Sequence, residues 1–398
     1  MSHPWTRRQW LATTGTAVAG NCLIGSLPGL AFEAPTAPVA IARCQSYGPE
    51  LLPTLEGMLH RMGGIERLVR GKTVAVKLNL TGSPGYRLGY LPVGLAQWVH
   101  PNVVGTLVHL LGKAGAHRIR LLESPWSTAE PLEEYMLQAN WEPRNFLGAA
   151  ARVEFENTNY LGRGKRYSRF RVPGQSLMFS SYDLNHSYED CDVFVSVAKL
   201  KEHLTAGVTL SMKNCFGITP CTIYGEGAGI DEPSLVPRGG RGLFHDGKRQ
   251  PSKSAPSEND PNSPREGGYR IPRVVADLVA ARPIHLAIID GIASMSGGEG
   301  PWAPRAQAIR PGVLIAGTNC VTTDAVATAV MGYDPRADRG TIPFEDCDST
   351  LRLAEGLGVG TRDLRRIEVL GTPISKALFD FKALRHTHRR LDGLDIGG

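Results

Sequence analysis

Residues 192–217 read DVFVSVAKLKEHLTAGVTLSMKNCFG, and the two parts of this stretch carry different messages. The opening run, DVFVSVA, is apolar without alternation, the pattern of a strand buried on both faces of a parallel sheet. It stops at Lys199, Lys201 and His203, and a second apolar run leads to Lys213, Asn214 and the Phe216-Gly217 pair. Lysine is uncommon in this chain: 11 of the 44 basic residues are lysine, yet three fall in this one largely apolar stretch. Amines in apolar surroundings suit chemistry or ligand binding better than solvation.

The same strand signal recurs on either side. Short β-prone runs lie at 39–44, 73–79, 118–123, 285–290, 312–318 and 366–370. Between them, Leu51, Leu52, Leu55, Leu59 and Met62 share a helical face, as do Val103, Val104, Leu107, Leu110 and Leu111; further helices are expected over 271–281 and 321–331. Continuous apolar strands separated by helices predict an α/β fold, a mostly parallel sheet covered by helices on both faces. Residues 224–268 break the pattern. They are crowded with Gly, Pro, Ser and charge, and read as a flexible insertion, either disordered or a lid over a site. Residues 379–398 read as a polar, solvated C-terminal tail.

At 398 residues, 42% hydrophobic and 21% charged, the chain has the composition of a globular protein with a large core. Thr6-Arg7-Arg8-Gln9-Trp10-Leu11, followed by a mildly apolar stretch to Ala31, matches a twin-arginine export signal over 1–31. Its glycines and Pro28 disfavour a stable membrane span. The expectation is a periplasmic or otherwise extracytoplasmic protein, carried out folded by the twin-arginine machinery and without a membrane span after cleavage. Setting Arg7 and Arg8 aside lowers the formal net charge from +6 to +4, too weak and dispersed for a nucleic-acid partner. Cys44, Cys191, Cys215, Cys221, Cys320 and Cys347 remain, and their pairing is not fixed by sequence. No CxxC occurs, which disfavours an iron-sulfur cluster or a structural zinc site.

In a parallel α/β sheet, ligands bind beyond the carboxyl ends of the strands. The polar residues at those ends are Lys77 and Asn79, Glu123 and Ser124, Lys199 and Lys201, and Asp290 with Gly291. Together they offer amines, carboxylates and an amide to a small anionic ligand, or to one bridged to a divalent metal ion. Lys77, Glu123, Lys199, Lys213 and Asp290 are the candidate catalytic residues, the lysines neutralising the anion and Asp290 or Glu123 acting as general base or metal holder. Asn79, Lys201, His203, Asn214 and Asp324 are candidate ligand-binding residues. Gly298 and Gly300, in the glycine-rich loop 291–301, would offer backbone N–H groups to an anion.

Each of these also has a structural explanation. Lys77 could lie along an edge strand, Glu123 could cap a helix, Asp290-Gly291 is a turn pair, His203 could pack, and Asp324 could complement a helix dipole. No HExxH, GxSxG, GxGxxG or Walker pattern is present.

The ordered motifs resemble a known family. Lys199-Leu200-Lys201-x-His203, followed by Val208-Thr209-Leu210-x-Met212-Lys213-Asn214-x-Phe216-Gly217, is similar to the domain of unknown function 362 family. So are Val76-Lys77-Leu78-Asn79, Ala287-Ile288-Ile289-Asp290-Gly291 with Gly298-x-Gly300-Pro301, and Thr323-Asp324-Ala325-Val326-Ala327 with Met331-Gly332-Tyr333-Asp334-Pro335. The resemblance spans 39–371. Some members carry an attached ferredoxin-like iron-sulfur module, whose closely spaced cysteines this chain lacks. A looser likeness in layout to nickel-dependent lactate racemases implies two lobes with a cleft, without their histidine-rich metal motif.

Two functions follow. One is an exported enzyme whose Lys/Asp/Glu-lined cleft binds a small anionic molecule or a metal-bridged ligand. The other is a non-catalytic envelope protein that captures a metal complex or cofactor; a redox accessory protein is a third reading, which would need a cluster or flavin for which no motif is present. The sequence names no reaction.

Overall fold

The computed structural model describes residues 33–385, so the export signal expected over 1–31 and the last tail residues, 386–398, lie outside the described residues. Eight strands form one sheet: β1 (Val39–Arg43), β2 (Thr73–Lys77), β3 (Arg118–Glu123), β4 (Val153–Asn157), β7 (Val193–Lys199), β10 (Leu286–Gly291), β13 (Val313–Gly317) and β14 (Val369–Gly371). Their order is β14-β1-β13-β10-β7-β2-β3-β4. Three ribbons complete the strands: β5 (Ser168–Arg171) with β6 (Ser181–Leu184), β8 (Glu202–His203) with β9 (Gly207–Val208), and β11 (Ser294–Ser296) with β12 (Gln307–Ile309). In the large sheet β13 alone runs against its neighbours, β1 and β10.

Strand side chains alternate between faces, and each face here meets helices. Val313 and Ile315 of β13 join a core with α4 (Gly267–Ala281) and α5 (Cys320–Val330), whereas Leu314 and Ala316 join a second core with α1 (Leu51–Arg61) and α2 (Pro101–Lys113). Burial on both faces is why these strands read as unbroken apolar runs. Each buried Val, Leu or Ile contributes about 1.5–3 kcal/mol. Helix starts are locally encoded: the Asn319 side chain accepts from the N–H groups of Val321 and Thr322, and Pro101 occupies the first turn of α2 behind His100.

Several features depart from the sequence reading. The described residues from Ala34 onward form one unit around one sheet, not two lobes. Strand β4, VEFEN, is absent from the sequence reading although it alternates: Val153 and Phe155 join the second core, while Glu154 and Glu156 pair across the edge with Arg118 and Arg120 of β3. The first tail residues are packed rather than solvated. Phe379 and Phe381 donate backbone N–H groups to Val330 and Met331 at the end of α5, Phe381 is fully buried, and Arg385 pairs with Glu202 and Glu345. Residues 224–268 are mostly irregular, but arginines tie them together. Arg249 donates to the carbonyls of Gly225, Ala228 and Gly229, while Arg265 and Arg270 converge on the buried Glu258. Backbone groups that lack a helix or ladder find partners this way. Among the described residues all six cysteines are free thiols, and no helix is long and apolar enough to cross a membrane.

Candidate functional site

The strand order places the carboxyl ends of β10, β7, β2 and β3 side by side, and their terminal charges pair there. Lys77 Nζ lies 2.6 Å from Glu123 Oε1, across β2 and β3; Lys199 Nζ lies 2.8 Å from Asp290 Oδ2, across β7 and β10. Both pairs are buried, but only the first borders a large cavity of about 900 Å³. Lys77, Asn79, Glu123, Lys213, Asn214 and Phe216 line it, together with His203, His245, Arg241 and Glu299.

The four lysines differ in one decisive respect. An ammonium has three donors. Those of Lys77 go to Glu123, the Leu78 carbonyl and Asn214 Oδ1; those of Lys199 go to Asp290, Tyr47 Oη and the Gly94 carbonyl; those of Lys201 go to Thr81 Oγ1 and the Gln97 and Glu299 carbonyls. Lys213 makes no hydrogen bond or ion pair with any described residue, and its Nζ lies 4.2 Å from the centroid of the Phe216 ring. Burial, with Arg241 and Lys77 nearby and Glu299 opposing, brings the Lys213 amine down to about 7.

Local structure fixes where that amine points. Lys213 sits on α3 (Leu210–Asn214), whose first turn is held by Asp324: Oδ1 accepts from Ser211 N at 2.9 Å and Ser211 Oγ at 2.5 Å, and Oδ2 accepts from Met212 N at 2.8 Å. Burial pushes the Asp324 carboxyl up to about 7, against the pull of these donors. Next along the chain, Asn214 accepts from Lys77 and donates to Ser196 Oγ at 3.0 Å. At Gly217 a Cβ would lie 2.9 Å from Lys77 Nζ and 3.0 Å from Glu123 Oε1 and would displace that ion pair.

The walls carry polar groups in defined states. His203 Nδ1 accepts from Thr205 N–H at 3.2 Å, which leaves the proton of a neutral ring on Nε2. His245 Nδ1 pairs with the Arg241 carbonyl at 2.9 Å and must donate, leaving Nε2 as an acceptor. Burial lowers both imidazole pKa values, that of His203 well below its ordinary range, so both rings are neutral near pH 7. Arg241 is anchored through Nε to Thr219 O at 2.7 Å and through Nη2 to Ser124 O at 2.8 Å. Glu299 accepts from Leu204 N at 3.0 Å and from Trp302 Nε1 at 2.8 Å.

Of the residues singled out from sequence, Lys77, Asn79, Glu123, His203, Lys213 and Asn214 meet on this cavity. Lys199, Lys201, Asp290, Asp324, Gly298 and Gly300 do not line it. Asp290 is sealed by Tyr47 Oη at 2.9 Å, His100 N at 3.0 Å and Ile292 N at 3.1 Å, so it has no lone pair directed at a ligand. In the glycine-rich loop the Gly297 N–H donates to Glu202 at 2.6 Å, Gly298 borders a smaller cavity, and Gly300 lies against the Trp302 ring. Glu299, between those two glycines, is the loop residue on the large cavity. Arg241 and His245 escaped the sequence reading because they lie in 224–268, where no periodicity marks a facing direction. Among the described residues no group of three or more His, Cys, Asp and Glu side chains is arranged to hold a metal ion.

A doubly covered α/β sheet with a pocket at its carboxyl edge, carrying Lys77, Lys213 and Arg241, defines the class. The chain belongs to the family described as a domain of unknown function (DUF362), whose model matches residues 74–329. That span includes every residue lining the large cavity. A thylakoid-associated protein of Synechocystis sp. is similar to this chain at 24% identity over 328 residues, covering 81% of this chain and 79% of that protein. No solved structure gives a significant match.

Proposed function

We propose that this protein is an enzyme that binds a small anionic molecule over the ends of β2 and β3 and uses Lys213 as its proton-exchanging group. The observation that supports this is the contrast among the four lysines: three have all their donors occupied and Lys213 has none. An amine held near 7 beside other cations is prepared both to accept and to donate a proton at neutral pH. Arg241 and the field of Lys77 would neutralise the anion, and His203 Nε2–H would stabilise charge developing on a ligand oxygen. The other candidate roles divide accordingly, with Glu123 and Asn214 orienting Lys77, and Lys199 with Asp290 supporting the strand ends.

Competitive amine labelling across pH, with and without inorganic phosphate or small carboxylates, tests this reading. Lys213 should titrate near pH 7, move upward when the anion is present, and bind no anion once replaced in Lys213→Met. An amine that titrates like a surface lysine, with no anion binding, overturns the reading. Anion binding that leaves the Lys213 titration unchanged would point to a carrier instead.

Export by the twin-arginine route belongs to the same proposal. Arg7 and Arg8 support it, and the free thiols are compatible with it: burial raises Cys44, Cys191, Cys215, Cys320 and Cys347, which keeps them from forming thiolates in an oxidising compartment. Fusing residues 1–31 to a reporter should export it, and replacing Arg7 and Arg8 by lysine should stop export; a reporter that stays inside in the unaltered fusion sinks this part.

A further inference from the structure

The mouth of the large cavity is built differently from its floor. Tyr86, Trp126 and Trp302 all line it, and each remains about half exposed, at 46%, 49% and 46%. Their rings form one cluster, with Tyr86 6.1 Å from Trp126 and 5.9 Å from Trp302 between centroids. Large rings left in water on a protein surface forfeit burial that a core position would give them. Here the backbone is shaped to hold them there. A Cβ on Gly82 or Gly300 would run into the Trp302 ring, and one on Gly240 would lie 2.7 Å from Trp126 Nε1. Gly82 adopts φ +72, a conformation that side chains rarely take, so the close approach is set by the main chain as well. Trp302 is pinned further by its indole N–H on Glu299 Oε1. Three glycines from separate segments therefore make room for two indoles that the described residues leave about half exposed.

We propose that the ligand is a flat, ring-bearing anion, its ring stacked at the Tyr86, Trp126 and Trp302 mouth and its anionic group directed inward to Lys213 and Arg241. The inference rests on the anion-binding reading above and adds the substrate class to it. The floor supplies buried cations and hydrogen-bonding groups, whereas the mouth adds the polarisable rings, with Arg87, Glu226 and Glu299 beside them. An aryl or fused-ring carboxylate or phosphate satisfies both; a short aliphatic acid satisfies the floor alone. Offset or edge-to-face contact with several rings is the geometry such clusters favour.

The test measures binding of 2-naphthoate and octanoate, equal in charge but differing in planarity, to the full chain and to Trp126→Ala, Trp302→Ala and the corresponding Phe variants. Naphthoate should bind at least about tenfold more tightly than octanoate, quench indole fluorescence, lose about tenfold affinity in each Ala variant and keep most of it in the Phe variants. Equal binding of the two acids, unaffected by removing either indole, overturns this inference and leaves the anion reading standing. Binding of neither acid, in protein whose thermal unfolding is unchanged, removes both. An Ala variant that misfolds is identified by the same unfolding curve, and the Phe variants and fluorescence quenching in the unaltered chain then decide the matter.

Discussion

Lys199 and Lys213 carry the same side chain on neighbouring elements, yet their surroundings give them opposite consequences. Replacing Lys199 by Met leaves the Asp290 carboxylate buried without its charge partner, and the expected loss is about 3–5 kcal/mol in a urea unfolding experiment. Lys213→Met should act the other way. Its folded pKa is depressed to about 7 from 10.5, so below pH 7 both states carry the charged amine, but only the folded state holds it out of water at a cost that the solvated unfolded chain avoids. The stabilising effect of the substitution should be largest below about pH 7 and fade as the pH rises toward 10.5, which melting curves at several pH values would show. Sequence could mark the lysines but not tell them apart. What separates them is whether distant carbonyls, those of Gly94, Gln97 and Glu299, arrive within reach.

Among the elements, α3 is short, five residues, and cannot hold itself together; Asp324 on α5 does so from outside. Asp324→Ala would strand the N–H groups of Ser211 and Met212 in the core, each costing about 1–3 kcal/mol. The expected outcome is lowered stability together with lost anion binding, read by denaturant unfolding and calorimetry, while a Lys213 variant loses binding alone. Elements buried on two faces were legible as continuous apolar runs, and β1, β2, β3, β7 and β10 fall where their sequences place them. The reversed direction of β13 was not, because Val-Leu-Ile reads alike in either direction. Neither was β4, whose alternating Val153 and Phe155 make too short a pattern to stand out between polar neighbours, and whose edge is joined to β3 by cross-strand ion pairs.

For the molecule as a whole, the sheet's two cores give the site a rigid floor, and the irregular segment 224–268 brings Arg241 and His245 to one wall. The start of the C-terminal tail contributes to this frame. Phe381→Ala should lower stability by about 3–5 kcal/mol, measurable by urea unfolding, because the ring is fully buried. The sheet's connectivity carries one more consequence. β1 lies between β13 and β14, with Val39 paired to both Gly317 and Val369. Among the described strands its hydrogen-bonding partners are the last to be synthesised, so β1 waits with both of its edges open until they emerge. Closing that register joins distant ends of the chain, a step that carries a large loop entropy and slows folding. The sheet therefore cannot close around β1 before β13 and β14 have been made, and nascent chains that stop short of residue 313 should remain sensitive to protease however well their central strands have paired.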